Sequence, residues 1–400
     1  MKGYITLLTP PSVGGTELYH DAKKRYEICK RECQEVHIRL LHKIVKCERQ
    51  LNRKSLLTLI FLTSCLTVLF SAFKVLAHAP LTPGTNESLD TASIIPDPNK
   101  SWAIYGELHE GGEAQYYSFS INKGERILIS LLKSTASEDN EFLPGFVLMG
   151  PNMTGQGTVP SYVEVPEGYD SIVVNGMQPS QATYEPFSPS SFYLLAEIDV
   201  NASSTGIYYI AVFEPSHGGH YGLAVGYIEE YTLEEWILLP FSLISVYQWE
   251  RQSLIVIFAP FVGTLILGLA FMIWRWKTQR PPQTLFAWFA TLVGLLFLGT
   301  GFMTLLQMAI SLAKTSLAPE AIVTLIFALV PILLGTAALR ISLRKKEVIS
   351  RTRIYLAIIG IVALFMWAGL LVGPILAIIG SLLPSRLSIG KSQMQSNKAE

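Results

Sequence analysis

Five apolar runs decide what this chain can fold into: Ser55–Ala77, Ser253–Trp274, Leu285–Leu312, Ala321–Leu339 and Ile354–Leu383. The first carries no charge from Ser55 to Phe73, and about 20 such residues in a helix cross the roughly 30 Å apolar core of a bilayer. With 50% hydrophobic residues overall, a multi-pass membrane protein is expected rather than two or three soluble domains. The interval between the first run and the other four is then a domain on one side of the membrane.

The formal net charge of zero hides a strong asymmetry. Residues 1–54 hold twelve Lys/Arg against six Asp/Glu, whereas residues 78–250 hold four against twenty-two. Basic residues also crowd the connectors after the second run (Arg275, Lys277, Arg280) and the fourth (Arg340, Arg344, Lys345, Lys346, Arg351, Arg353), while the connector between them has only Lys314. The excess of Lys/Arg on cytoplasmic loops places residues 1–54 inside and residues 78–252 outside, in a multi-pass protein of the cell membrane. The fifth run contains Gly369, Gly373 and Pro374; it is expected to tilt or kink, cross once and leave a polar tail, residues 385–400, outside. Residues 55–77 are expected to stay as a signal-anchor, because a 54-residue basic lead far exceeds that of a signal peptide. Cleavage after Val75-Leu76-Ala77 is the competing reading. Leu62-Thr-Ser-Cys65 resembles a lipobox, but the apolar run continues past it.

Residues 78–101 form a Pro/Thr/Ser-rich connector. From Trp102 to Ile228 the pattern has period two: AIYGEL, AQYYSFSI, RILISLL, FVLMG, YVEV, SIVVN, FYLLAEIDV, GIYYIAVF and YGLAVGYI alternate with Gly, Pro, Asn and Asp clusters. Short aromatic or β-branched runs of this kind predict an antiparallel sandwich, with acidic side chains alternating on a wet face. Gly106-Glu-Leu, Ala114-Gln-Tyr-Tyr-Ser-Phe-Ser-Ile, Lys123-Gly-Glu-Arg, Ile127-Leu-Ile-Ser-Leu, Gly206-Ile-Tyr-Tyr-Ile-Ala-Val and Tyr221-Gly-Leu-Ala-Val resemble the pre-peptidase C-terminal type of β-sandwich over residues 100–228. The resemblance implies a non-catalytic accessory on a surface protein. The insertion Pro151–Ser191, with its YEPFSPSSFY segment, departs from the short form, and no accompanying catalytic domain is expected. The expected fold is thus a membrane protein whose extracytoplasmic, jelly-roll-like antiparallel β-sandwich is inserted between an N-terminal transmembrane helix and a C-terminal four-helix bundle (residues 253–384).

Residues 229–252 return to helical spacing. Thr232 and Glu235 make a capping-box signature, and Trp236 and Trp249 suit either a helix in the headgroup zone or the last packing element of the sandwich.

The four cysteines, Cys29, Cys33, Cys47 and Cys65, all precede the outer domain, so no disulfide staples it. Cys29, Cys33 and His37 share a helix face near His42, a spacing that lacks the tight CxxC turn of zinc sites. In the outer domain the candidate metal ligands are His78, His109, and the pair His217 and His220 in PSHGGHYG; His78 would become an amino-terminal copper chelate if cleavage followed Ala77. The alternatives are surface histidines beside turns. Asn86, Asn99, Asn152 and Asn201 open glycosylation sequons. No hydrolase elbow, phosphate loop, zinc-protease HExxH or dinucleotide fingerprint occurs. The last four runs offer only Gln307 and a few Ser/Thr in their interiors, with Glu320 at a rim, which argues against a pump or transporter. Gly263, Gly268, Gly294, Gly299, Gly301, Gly360 and Gly373 would let helices approach closely.

The expected function is that of a non-enzymatic, membrane-anchored surface protein: the acidic sandwich binds a protein, glycan or envelope partner while the helices anchor it or dock to a membrane complex. No cofactor and no nucleic acid are expected. The alternative is a metal-handling accessory subunit of a membrane enzyme, using a divalent metal or copper on His78, His109, His217 and His220.

Overall fold

The computed structural model describes residues 78–139, 141–279, 284–316, 318–343 and 350–383, all within one compact unit, Val75–Glu400. The basic arm with its cysteines, the first apolar run and the polar tail lie outside the described residues.

Eleven strands make two packed sheets: β1 (Ala79–Leu81), β2 (Ser93–Ile94), β3 (Trp102–Leu108), β4 (Glu113–Ile121), β5 (Arg126–Ser134), β6 (Gly145–Gly150), β7 (Asp170–Val174), β8 (Thr183–Glu185), β9 (Ser190–Asn201), β10 (Gly206–Glu214) and β11 (Gly219–Val225). One sheet has the order β1-β3-β11-β5-β9-β8 and the other β2-β4-β10-β6-β7. Successive strands mostly change sheet, so β3-β11-β5-β9 faces β4-β10-β6-β7 in the manner of a jelly roll. All pairs are antiparallel except the two short edge strands, β1 on β3 and β2 on β4. Those edges come from the Pro-rich connector. It therefore belongs to the sandwich, closing one edge of each sheet.

Period-two alternation sends Ile104, Phe119, Ile129, Leu131, Phe146, Leu148, Ile210 and Leu223 into the space between the sheets, where all are buried. The expected wet face is only partly wet. On the outer side of β4, β6 and β10, Tyr116, Val147, Met149, Ala211 and Phe213 build a second core with Val163 under the insertion, which is why every residue of β6 is buried. Tyr162–Val165, read as a strand, pairs with no strand. Pro160 and Pro166 bracket it; Val163 plugs the second core while the Glu164 N–H donates to Tyr116 Oη at 2.8 Å.

Helices follow: α1 (Leu233–Trp249), α2 (Leu254–Gln279), α3 (Leu285–Leu312), α4 (Ala321–Ser342), α5 (Ser350–Leu364) and α6 (Val372–Leu382). The Thr232/Glu235 box caps α1, with the Glu235 N–H donating to Thr232 Oγ1 at 3.2 Å and the Thr232 N–H to Glu235 Oε2 at 2.7 Å. Among the described residues three helices are long and apolar enough to cross a membrane, within α2, α3 and α4. Glycines set their spacing. A methyl on Gly294 would sit 2.9 Å from the Gly335 carbonyl oxygen, and one on Gly268 would sit 2.2 Å from Leu295.

The fifth apolar run does not form one crossing helix. It breaks between Leu364 and Val372, where Trp367, Gly369, Leu370 and Leu371 all have positive φ, and Pro374 falls in the first turn of α6, where its missing N–H costs nothing. The halves fold back on each other: Gly360 lies against Ala377, and Arg353 Nε donates to the Ser381 carbonyl at 2.7 Å. The result is a helical hairpin in which α6 ends beside the start of α5. Thr300 Oγ1 on α3 accepts the Gly369 N–H at 2.9 Å and fixes the tip.

Candidate functional site

The densest set of buried polar side chains lies where the sandwich meets the helices. The β8–β9 turn, Tyr184–Ser191, is the central element. Glu185 Oε1 accepts the Phe187 N–H at 3.2 Å, and prolines 186 and 189 stiffen the turn on either side of Phe187. The loop enters between the end of α3 and the start of α4. Tyr184 Oη donates to Thr324 Oγ1 at 2.7 Å, Thr324 Oγ1 donates to the Pro186 carbonyl at 2.6 Å, and Ser311 Oγ donates to the Pro189 carbonyl at 2.9 Å. Thr324 and Ser311 are fully buried, so each hydroxyl relieves a carbonyl that water cannot reach. Phe187 meets Phe327 edge-on at 6.1 Å; Phe327 stacks on Trp367 of the hairpin tip at 6.2 Å, and Trp367 Nε1 donates to the Trp236 carbonyl of α1 at 2.8 Å. Sandwich, α1, α4 and hairpin thus share one aromatic cluster.

At the other end of α1, Trp249 packs on Tyr105 with ring centres 5.2 Å apart and donates through Nε1 to the Tyr221 carbonyl at 3.0 Å. Glu250 follows, 3% exposed, and accepts the Ser191 N–H at 2.7 Å and Gln252 Nε2 at 3.0 Å. Burial raises its carboxyl above the usual range despite these donors and the Lys314 charge. Arg251, with φ 63°, turns back to Asp139 at 3.5 Å and Glu107 at 3.8 Å. Asp139 is buried and also accepts from Ser134 Oγ at 3.0 Å, while Lys133, equally buried, donates to the carbonyls of Asp139 and Phe142, both at 2.9 Å. Partly buried Glu185 is raised from 4.5 to about 7, first by burial and then by Glu229, against the Phe187 N–H. Gln307 of α3 is buried with neither amide atom hydrogen-bonded within the protein.

The four candidate histidines do not converge. His78 is exposed and its Nδ1 contacts Ser101 Oγ. His109 faces Glu113 at 3.6 Å, His217 faces Glu141 at 3.3 Å, and His220 lies between Glu107 at 3.3 Å and the Trp249 carbonyl at 3.0 Å. His217 lies just before β11 and His220 within it, each against a different carboxylate, and among the described residues no three metal-binding groups come together. The sequons separate as well. Asn152 and Asn201 are exposed at one end of the sandwich, with Asn152 Nδ2 donating to Ser204 Oγ at 3.0 Å, and Asn99 is half-buried. Asn86 is 3% exposed and its amide nitrogen is enclosed.

Sequence reasoning missed Glu185, Glu250, Thr324 and Ser311. The YEPFSP segment was the available signal, since prolines flanking an aromatic mark a stiff, projecting turn.

No family model matches the chain, and no curated protein matches it. Among solved structures, similarity is found to the pre-peptidase C-terminal domain of a collagenase from Bacillus anthracis, at 21% identity over 33% of this chain and 91% of that one, with a TM-score of 0.20. This is the domain type that the sequence resembles. A second is the secreted protein MopE of Methylococcus capsulatus, described as copper-binding, at 12% identity over 38% of this chain and 100% of that one, with a TM-score of 0.18.

Proposed function

We propose that this chain is a multi-pass membrane protein whose acidic β-sandwich stands outside the cytoplasm as a non-enzymatic recognition module, seated directly on its own membrane helices. The observation that carries the reading is the Tyr184–Ser191 loop, hydrogen-bonded to Thr324 and Ser311 and closed by Glu250. A tethered domain would need none of these contacts. A seated domain holds its free surface at a fixed height and angle, which favours recognition of another membrane-bound molecule because less freedom is lost on binding.

Supporting the membrane placement, the largely apolar 22-residue stretch Leu254–Arg275 spans about 33 Å as a helix. The apolar stripe of α1, Leu233, Ile237, Leu238 and Phe241, is exposed and fits the outer leaflet. Sidedness is supported by the basic residues Arg275, Lys277, Arg340, Arg351 and Arg353 that flank the helices.

The surface best suited to a partner is the rim formed by residues 109–113, Glu138, Asp139, Glu141 and residues 214–218. These loops hold one another in place: a methyl on Gly111 would meet Ser216, and one on Gly218 would meet the His109 carbonyl. They project Glu110, Glu138 and Glu141, the last with an 84% exposed side chain, so the partner class is a basic protein surface. A photo-crosslinking residue at Glu141 in native membranes tests this. The expected result is a discrete protein adduct that disappears when Glu110 and Glu138 are changed to Lys; no adduct, or one indifferent to the reversal, defeats the reading.

A further inference from the structure

Gln307 is the strongly polar side chain that the sequence places inside an apolar run, and the fold gives it no protein partner. It is fully buried on α3, and neither its Oε1 nor its Nε2 meets a hydrogen-bonding atom among the described residues. It lies one turn, about 6 Å, deeper than Ser311, whose hydroxyl holds the Pro189 carbonyl of the seating loop. An enclosed amide without partners in apolar surroundings is strongly disfavoured, so a ligand has to meet it.

A further unpaired atom lies at the same level. Helices α2 and α3 run antiparallel: Gly268 lies against Leu295 and Phe261 against Gly299, while Ile257 and Met303 share one buried cluster with Tyr247. One more turn along each helix brings the start of α2 level with Gln307. There Gln252, just before α2, is folded back towards α1 by its N–H, which donates to the Tyr247 carbonyl at 3.0 Å. Its Nε2 donates to Glu250 Oε2 at 3.0 Å, while its Oε1 is enclosed and has no partner among the described residues.

We infer that Gln307 and Gln252 hold a bound water between them, which ties the α1–α2 turn to α3 within the helices. The unpaired groups are two amide oxygens and one amide NH2, so the ligand must donate and accept at once. A cation would face the Gln307 Nε2 hydrogens and an anion would face the two oxygens. Water donates to both oxygens and accepts from Nε2, making the roughly three contacts usual for a buried water. The bridge extends a chain that starts in the sandwich: Glu250 accepts the Ser191 N–H at 2.7 Å and Gln252 Nε2 at 3.0 Å, and the water carries the link on to Gln307. Gln307 is thereby a positioning residue for the seat, acting through Gln252 and Glu250 on the end of the loop. The inference concerns how the seat is held and asks nothing of the rim partner.

Hydroxyl-radical footprinting of the full chain in lipid nanodiscs tests it, because X-ray pulses split bound water and mark the side chains beside it. Met303, one turn from Gln307 on the same face of α3, is the reporter; Met366 of the hairpin, 8% exposed against 7% for Met303, is the matched control. The expected result is that Met303 is modified faster than Met366 in the natural chain, and that the difference is lost in Gln307→Leu. Equal rates in the natural chain overturn the inference. So does a fast rate at Met303 that persists in Gln307→Leu, which means that bulk water enters without the site. Thermal unfolding of Gln307→Leu, Gln252→Leu and the double variant gives an independent reading: once one end of a bridge is gone the other matters less, so the losses must fall short of additive. Additive losses, or a Gln307→Leu chain that unfolds at a higher temperature than the natural one, overturn the bridge. Should Gln307→Leu fail to fold, the natural chain and Gln252→Leu decide the matter by the same comparison of Met303 with Met366. None of these readouts depends on the rim crosslink, so the two readings fail separately.

Discussion

Gly106 stands opposite Tyr221 in the sheet register, and a methyl there would lie 2.4 Å from the Tyr221 ring. That ring crosses Gly106 to place its hydroxyl inside the sandwich, where it is 2.6 Å from Tyr117 Oη and donates to Gln115 Oε1 at 2.5 Å. Burial pushes Tyr117 up to about 12, so both phenols stay neutral donors. Gly106→Ala is expected to destabilise the domain by roughly 1–3 kcal/mol through overpacking, and by much less in a Tyr221→Leu background, where the clash is gone. Thermal unfolding of the four chains of this cycle measures the coupling; purely additive effects would show that the glycine is not there for the ring. Tyr221→Phe keeps the ring and strands its partners, for an expected loss of about 1–3 kcal/mol. Little of this was legible beforehand. Gly106 and Tyr221 were visible as strand residues, but only register shows that they oppose each other. The same holds for His217 and His220: their spacing suggests a shared ion, but His217 precedes β11 and faces Glu141 while His220 lies within β11 and faces Glu107.

At the level of elements, period two identified the strands that form both sheet centres, because each has a buried face to write into the sequence. It missed β1, β2 and β8, which are two or three residues long and too short to show alternation, and it overread Tyr162–Val165, whose alternation reflects packing on the second core. The glycines of the apolar runs proved informative in six of the seven positions; Gly263 has nothing within 4 Å. The fifth run misled because composition reports apolarity and says nothing of direction. Its break rests on Gly369, at φ 68°, with Gly373 so close that a methyl on Gly369 would lie 2.9 Å from its Cα. Gly369→Ala is expected to cost roughly 1–2 kcal/mol for the left-handed backbone alone. The contact adds to that, so exchange at residues 365–371 should rise together with a red shift of tryptophan emission as Trp367 leaves its cluster. Gly263→Ala is the matched control and should change neither; equal effects from both would mean that the tip is not a fixed structure.

The whole molecule is ordered by which helix ends lie together. The sandwich side is marked by Ser311 on Pro189 and Thr324 on Pro186. The opposite side is marked by Ser342 Oγ donating to the Ala287 carbonyl at 2.8 Å, by Gly380 against Phe289, and by Arg353 on Ser381. Because the hairpin returns, its last residues belong to that opposite side, together with the basic connectors. The hairpin thus predicts a tail inside the cytoplasm where a single fifth crossing predicts one outside, and the charge of the tail favours the inside: Arg386, Lys391 and Lys398 stand against Glu400 alone. In a chain with Cys29, Cys33, Cys47 and Cys65 changed to Ser, single cysteines at Ser392, Thr278 and Lys123 can be probed in intact cells with a membrane-impermeant maleimide. Lys123→Cys should label at once, and Ser392→Cys and Thr278→Cys only after permeabilisation. Labelling of Ser392→Cys alongside Lys123→Cys in intact cells would mean that α5 and α6 part in the membrane and cross it, and the hydrogen bond from Arg353 to Ser381 would then have to break.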